Sequence, residues 1–424
     1  MLILLTLLFF SDTHAMSVDE AIQSALTSSP LILKTQSVSQ EAKWKTRENW
    51  SGYLPTLSAS ANHLLDKRYA LTNINFGGNP AIVPQIIPST QLSLTVTYSV
   101  FEGFSSWNKL RSAMEAQNSA DKELEWTKLK VELDSTLAFY KSLASRKLQE
   151  IAQRNYNVLL DHLKEVQLYK KTGMATNYDV LRVEVQVSNA QTELMNATDN
   201  IALSDQSLLE IMGLEKIDLK LDGDFPEFTD SQLKKVENAD IKSRSDLEAL
   251  KLKINSLSYA SSAQNSFWLP RISLFGQYQH YNNLNDAWFE SSKFRDAYQV
   301  GVAVTWNIFD GMVSISRANQ TSEQYIQLEK SYRIAELKAQ KEFDLWKRKY
   351  NYFLNFYKAR MSDISKSKES VRLAKEGRRV GARSNTDLLD AESDLYKSEA
   401  GAINAQIGAM EALINLELSV GHKI

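Results

Sequence analysis

The chain has no cysteine and only seven prolines among 424 residues. The first absence excludes disulfides, thiolate metal sites, cysteine nucleophiles and a lipid carried on an N-terminal cysteine. The prolines are Pro30, Pro55, Pro80, Pro84, Pro88, Pro226 and Pro270, so 89–225 and 271–424 hold none. Proline breaks helix interiors, and both stretches are free to form very long helices. Charge of one sign is also lacking. Lys and Arg number 49 against 51 Asp and Glu, a net charge of −2, which gives no support for nucleic-acid binding, where a basic patch is the usual footprint. No run approaches the ~18 consecutive apolar residues of a membrane helix, so membrane contact must come from strands or a surface helix. The five histidines are His14, His63, His162, His280 and His422, none at metal-ligand spacing from another. The chain has no phosphate-binding glycine loop and no GxSxG elbow. The carboxylates sit among basic residues in a solvated pattern. No enzyme activity, cofactor or metal site is expected, and energy for any transport must come from a partner.

What is present begins with a short apolar run, Leu2–Phe10, that ends at Ser11-Asp12-Thr13-His14-Ala15. It is too short to span a bilayer and resembles a secretory leader with a small-residue cleavage site, although no Lys or Arg precedes it. A buried first helix is the plainer alternative. Residues 1–15 are therefore expected to be a signal peptide.

The rest of the chain is written twice. Leu94–Gly103 reads LTVTYSVFEG and Val302–Gly311 reads VAVTWNIFDG, at an offset of 311 − 103 = 208 residues. At the same offset Gly173 meets Gly381, Asn177 meets Asn385, Asp179 meets Asp387 and Gly213 meets Gly421. One register held this long implies an internal duplication, and the unit is far longer than the 20–50-residue period typical of solenoid repeats. The expected organisation is a first repeat over 16–213, a linking segment over 214–240 and a second repeat over 241–424.

Residues 105–171 and 313–379 are rich in Leu, Lys, Glu, Ala and Gln, all good helix formers. Each stretch would make a helix of about 100 Å. Leu148, Ile151, Val158, Leu159, Leu163 and Val166 recur at spacings that bury one stripe against a neighbour. Helices this long pack side by side, as in a coiled coil or helical barrel. Gly173 and Gly381 end them. Asn177 and Asn385 open the return helices, with Asp179 and Asp387 in the first turn, where the helix macrodipole favours acids. Each repeat should hold one long antiparallel helical hairpin, with tips near 173–179 and 381–387.

Strands are expected at about 56–65, 91–100, 272–281 and 298–308, where apolar and polar residues alternate with period two. A sheet covering a soluble core accounts for the alternation. A barrel wall with lipid outside and water inside accounts for more. The strands have the length needed to cross a bilayer at a tilt. Aromatics also crowd their ends: Trp50, Tyr53, Phe101, Phe104, Trp107, Phe267, Trp268 and Phe309. Four strands cannot close a barrel, whose smallest single-chain form has about eight, so several chains would have to share one wall.

These features together resemble the TolC-like outer-membrane efflux proteins. The resemblance runs from Ser17-Val18-Asp19-Glu20-Ala21-Ile22 to Gly421. It is carried by Leu54-Pro55, the Phe101-Glu102-Gly103 and Phe309-Asp310-Gly311 turns, and Val380-Gly381-Ala382-Arg383 followed by Thr386-Asp387-Leu388-Leu389-Asp390-Ala391. It implies an α+β membrane protein in which three chains build a twelve-stranded barrel in the outer membrane of a Gram-negative bacterium. The helices would form a periplasmic α-barrel that tapers shut at the tips. The implied partners are two further copies of the chain, outer-membrane lipid, a periplasmic adaptor (membrane fusion) protein and an inner-membrane pump of the RND or ABC type. The implied function is the passive exit duct of a tripartite efflux or type I secretion system, with cargo chosen by the pump. A soluble periplasmic coiled-coil protein, structural or adaptor-like, is the alternative, and it leaves the repeated strand pairs unexplained.

The resemblance also implies roles for the tips. Asp387 and Asp390, three residues apart on one helix face, would form a ring of carboxylates at the pore entrance that favours cations. As the plainer alternative they are ordinary acids at a helix start. Arg383 and Asp179 match the contact between neighbouring tips that holds the family's closed state, and copy one carries Ala175 in place of Arg383. Arg378 stands where the family often has tyrosine. Lys170, Lys171, Arg378 and Arg379 form a basic pair before each of Gly173 and Gly381, which fits either adaptor docking or matching of the helix C-terminal dipole.

Overall fold

The computed structural model describes residues 15–65, 71–84, 88–215, 219–236, 241–283 and 290–424. All but the last residue of the expected leader lie outside these segments, as do parts of the linking segment and of both loops between paired strands. In chain order the elements are α1 (Val18–Ser28), α2 (Pro30–Trp50), β1 (Thr56–His63), β2 (Leu71–Phe76), β3 (Asn79–Pro84), β4 (Thr90–Phe101), α3 (Ser105–Lys171), α4 (Asn177–Met212), α5 (Asp230–Lys235), α6 (Ser245–Gln264), β5 (Arg271–Asn282), β6 (Arg295–Thr305), α7 (Val313–Arg379) and α8 (Asn385–Val420). The long proline-free stretches fold as the sequence suggests. Helices α3 and α7 each run 67 residues, and α4 and α8 each run 36. Their starts repeat the sequence offset, 313 − 105 = 208 and 385 − 177 = 208.

Two compact units are formed. One comprises the chain up to Val38, Ala120–Ala249 and Tyr332–Ile424; the other comprises Ser39–Ser119 and Leu250–Ser331. Helices α2, α3, α6 and α7 each contribute to both.

The first unit is helical. Its largest apolar cluster packs Ala21 and Ala25 of α1 against Phe139 and Leu143 of α3 and Leu208 and Met212 of α4. A second sets Leu133 of α3 against Tyr350 and Leu354 of α7 and Ala409, Ala412 and Leu413 of α8. Alanines at 402, 405, 409 and 412 are all buried, and their three- and four-residue spacing makes one narrow stripe along α8. At Gly408 a Cβ would stand 2.4 Å from the Phe353 ring, so α7 and α8 approach too closely there for a larger residue. Polar groups tie in the connecting segments. Arg146 donates to both oxygens of Asp205 at 2.7 and 2.9 Å and to the Leu219 carbonyl at 2.7 Å, linking α3, α4 and the chain after α4. Tyr350 is fully buried. Its hydroxyl donates to the Gln232 side chain and lies 3.2 Å from the Thr229 carbonyl, anchoring α5 to α7. Burial pushes that phenol up to about 12.

The second unit holds a four-stranded antiparallel sheet in the order β1-β4-β5-β6. Strands β4 and β5, one from each half of the sequence, are its central pair, and β1 and β6 are its edges. The register puts Leu57 opposite Val96, Val96 opposite Gly276 and Gly276 opposite Val300. Directly opposed residues share a face, so one face carries Leu57, Leu92, Leu94, Val96, Tyr98, Leu274, Tyr278, Tyr298, Val300, Val302 and Val304. All of these are exposed, Tyr298 to 85% and Val300 to 83%. The other face carries Thr56, Ser58, Ser60, Thr97, Thr95, Ser93, Ser273, Gln277 and Gln299 at the same register positions, a mostly polar set that also includes Phe275 and Tyr281. The apolar face turns polar only at one end, where Asp296 accepts from the Tyr278 hydroxyl at 2.6 Å and lies 2.7 Å from His280 Nδ1.

Two features differ from the sequence expectation. Strand β6 stops at Thr305 rather than Ile308, because Asp310 accepts the Ser314 amide at 3.0 Å and turns the chain into α7, while the Trp306 indole donates to the Trp268 carbonyl. The loop after β1 contains a hairpin, β2 paired with β3, that the period-two reading missed. Its turn is Gly77-Gly78, both at positive φ, which is the two-residue turn that hairpins prefer. Pro80 and Pro84 disguised it, since proline within a run argues against a strand.

We expect Tyr350→Phe to cost about 1 kcal/mol through its lost hydrogen bonds and Tyr350→Ala about 3–5 kcal/mol through the cavity. Denaturant titration of tryptophan fluorescence measures both, and a Tyr350→Phe protein as stable as the parent would show that the hydroxyl is not an anchor.

Candidate functional site at the helical tips

Both long helices end in the same way. After α3 the Met174 amide reaches the Tyr169 carbonyl at 2.8 Å, and after α7 the Ala382 amide reaches the Gly377 carbonyl at 2.8 Å. These closures need a left-handed residue, supplied by Gly173 at φ 77° and Gly381 at φ 76°. A Cβ on either would meet nothing, so backbone conformation alone selects glycine.

The return helices begin with matched capping boxes. The Asp179 amide donates to Thr176 Oγ1 at 3.2 Å while the Thr176 amide donates to Asp179 Oδ2 at 2.8 Å. The Asp387 amide donates to Ser384 Oγ at 3.1 Å while the Ser384 amide donates to Asp387 Oδ2 at 2.9 Å. The Thr176 hydroxyl and then its amide hold Asp179 below the ordinary carboxylate range. The Ser384 amide and then its side chain do the same for Asp387. Both acids thus have a local task, fixing the first turn. Their contribution is present above the ordinary carboxylate range and is lost as pH falls through the depressed value.

The other tip residues divide by environment. Asp390 lies exposed on α8, and Asp394, one turn on, is exposed too; the sequence reading missed Asp394, although its spacing from Asp390 was legible. Arg383 is exposed, with its aliphatic stem against Gly377. Lys171 and Arg379 are exposed, and Lys170 donates to Asn177 Oδ1 at 2.8 Å. Arg182 of α4 donates to Thr386 Oγ1 at 3.0 Å, joining the starts of the two return helices.

Arg378 is unlike its counterpart Lys170. Its guanidinium turns inward, with Nη2 2.6 Å from each oxygen of Glu165 on α3. Nη1 lies 3.2 Å from His162 Nδ1 and 3.3 Å from Asn385 Oδ1. Arg378 is therefore committed within the chain and not displayed with Arg379. Burial works against the charge of Glu165, but the paired guanidinium wins and holds its carboxyl low. The sequence reading did not single out Glu165, and it considered His162 only as a metal ligand.

In the sheet-bearing unit the expected aromatics gather at the strand ends. Trp50 and Tyr53 lie 5.8 Å apart between ring centroids, and Phe101 meets Phe104 edge-on at 5.4 Å. Arg111 lies over the Trp107 ring at 5.0 Å. Trp50, Phe104, Trp107, Trp268 and Phe309 are all exposed, and Phe267 lines a small cavity with Leu269, Arg271 and Asp310. Among the described residues no cluster suited to a metal ion is present, and no helix is long and apolar enough to cross a membrane.

Paired hairpins of very long helices, joined to a sheet that is apolar on one exposed face and polar on the other, define the architecture of an outer-membrane channel. The sequence pattern of the family described as "Outer membrane efflux protein" matches residues 21–214 and 238–422, and the chain belongs to that family. It is 22% identical over 326 residues to outer membrane protein TolC of Vibrio cholerae, a span covering 75% of this chain and 73% of that one. The fold matches the outer membrane protein VceC of Vibrio cholerae with a TM-score of 0.77 at 15% identity, covering 96% of each chain. It matches the CmeC outer membrane channel of Campylobacter jejuni with a TM-score of 0.77 at 13% identity, covering 95% of this chain and 85% of that one. The open state of the MtrE outer membrane channel of Neisseria gonorrhoeae gives a TM-score of 0.74 at 17% identity, covering 96% and 89%.

Ser384→Ala removes the hydroxyl half of one capping box. We expect hydrogen exchange at residues 385–388 to quicken about fivefold, the equivalent of a lost N-cap, with 177–180 unchanged; equal rates in both proteins would remove the cap from the account.

Proposed function

We propose that the protein is a passive homotrimeric exit duct. It receives substrates from an inner-membrane pump through a periplasmic adaptor and releases them across the outer membrane. The observation that carries the proposal is the two-faced sheet. Its exposed apolar face suits lipid, its polar face suits a water-filled lumen, and its edge strands lack partners within the sheet. Four strands from each of three chains would supply twelve, enough to close a wall. The exposed aromatics at the strand ends suit bilayer interfaces. The organisation that goes with this reading is a leader over 1–15, repeats over 16–213 and 241–424 derived by duplication, and a link over 214–240.

The helical tips would serve as the gate and the adaptor contact. Asp387 and Asp390 are assigned to the pore entrance, where threefold repetition would concentrate negative charge and favour cations. Capping does not compete with this role, because an N-terminal acid held ionised still presents its charge. Arg383 is assigned to a latch on Asp179 of a neighbouring copy, for which its exposure leaves it free. A single exposed ion pair contributes only about 0–1 kcal/mol, so the latch holds only if symmetry-related pairs break together. Lys170, Lys171 and Arg379, with Gly173 and Gly381 shaping the tips, are assigned to the adaptor contact.

Planar-bilayer recording tests both assignments. Arg383→Ser should raise single-channel conductance, and a conductance equal to wild type would remove the latch. Asp387→Ala with Asp390→Ala should lower cation over anion selectivity, and unchanged selectivity would remove the entrance ring.

A further inference from the structure

The contact between α3 and α7 has a third member whose chemistry is unusual. His162 is only 5% exposed. Its Nδ1 lies 3.2 Å from Arg378 Nη1. A guanidinium donates and never accepts, so Nδ1 must be the acceptor, and the proton of the neutral ring sits on Nε2. That atom is buried and has no hydrogen-bond partner. The arrangement therefore requires an uncharged imidazole, held as one tautomer by the arginine it supports.

Protonation would undo it. With both nitrogens carrying hydrogen, Nδ1–H would face a cation at hydrogen-bond distance. The near anion is Glu165, whose Oε2 is 3.7 Å from Nδ1 and which lies on the same helix three residues on. A charged His162 would repel Arg378 and recruit Glu165. A bridge between α3 and α7 would become a pair within α3.

We infer that His162 is a proton-operated release for the clasp between α3 and α7, holding Arg378 on Glu165 when neutral and withdrawing Glu165 from it when charged. The consequence for conduction rests on the proposed gate; the clasp itself does not.

The groups around the ring fix the direction. Glu165 comes from its own helix, with the Tyr169 hydroxyl donating to it at 3.3 Å. Arg378 comes from α7, and Asn385 from the start of α8. Glu392 of α8 is the next carboxylate inward, 8% exposed, with Lys375 of α7 3.4 Å away and its Oε2 unpartnered. On the α4 side, Val183 and Val187 pack in an apolar cluster with Leu159, Leu163 and Val166 of α3. Burial first, and then the Arg378 charge, push His162 below its ordinary value, against the pull of Glu165. A proton therefore binds the released state more readily than the clasped one. The clasp is at full strength above the ordinary histidine range near ~6.5 and weakens as pH falls below it, by at most about tenfold per pH unit. Burial raises Glu392, which makes it the competing titrating group.

The absence of native cysteine allows a clean distance measurement. Lys171→Cys and Arg379→Cys, both at exposed positions, would carry spin labels, with the labelled chain co-assembled with an excess of unlabelled chain. Pulsed electron resonance would compare about pH 7.5 with about pH 5, a window spanning histidine titration. We expect a single short distance at the higher pH and a growing longer population at the lower one. His162→Gln, which can still accept from Arg378, should keep the short distance at both, as should His162→Asn. Glu392→Gln should respond like the parent, and Arg378→Met should show the long distance throughout. A parent that does not respond, a His162→Gln protein that still does, or a Glu392→Gln protein that does not would each overturn the inference. If distances shift as expected while bilayer conductance stays constant with pH, the clasp stands and the gating reading fails.

Discussion

An unpaired strand edge is the constraint on which the proposed architecture depends. Inside a bilayer each unsatisfied amide or carbonyl costs several kcal/mol, so spanning strands must belong to a closed wall. Among the described residues this chain brings four strands to its main sheet and leaves β1 and β6 at the edges. Its lipid-suited face is already apolar and its other face polar, so the sheet has the chemistry of a wall without the count. In the proposed assembly of identical chains, pairing of each β1 with a neighbour's β6 would remove every edge at once.

The helical part is packed within the chain. Buried clusters join α1, α3 and α4, and others join α3, α7 and α8, so each hairpin is held within its own chain. The tips add polar contacts to buried apolar ones, such as those of Val166, Val180 and Leu389. Two capping boxes fix the return helices, Arg182 joins their starts, and Arg378 bridges α7 to α3. The polar contacts are directional and sensitive to charge, which suits the gate proposed there.

Much of this was legible in the sequence. The absence of proline and the helix-forming composition gave the long helices, and Gly173 and Gly381 gave their ends. Period-two alternation gave four strands to within a few residues. The β2–β3 hairpin was hidden because its prolines argue against strand while its Gly77-Gly78 turn argues for it, and local pattern alone could not weigh the two. Among the tip residues, Asp179 and Asp387 were legible as helix-start acids because capping is local. The partnership of Arg378 with Glu165 was not. The two lie 213 residues apart, and in sequence Arg378 reads as one of two basic residues at a helix end. Only packing decides that Arg378 turns inward while Arg379 stays out. His162 carried no signal at all, since a single histidine on a helical stripe looks the same whether it fills space or holds a charge in place.

The central claim is that several copies share one wall, and the mass of the particle extracted from outer membranes in mild detergent tests it most directly. The account predicts three chains per particle, the number at which four strands each make a closed twelve-stranded barrel. A single chain per particle, stable and still membrane-bound, would contradict it.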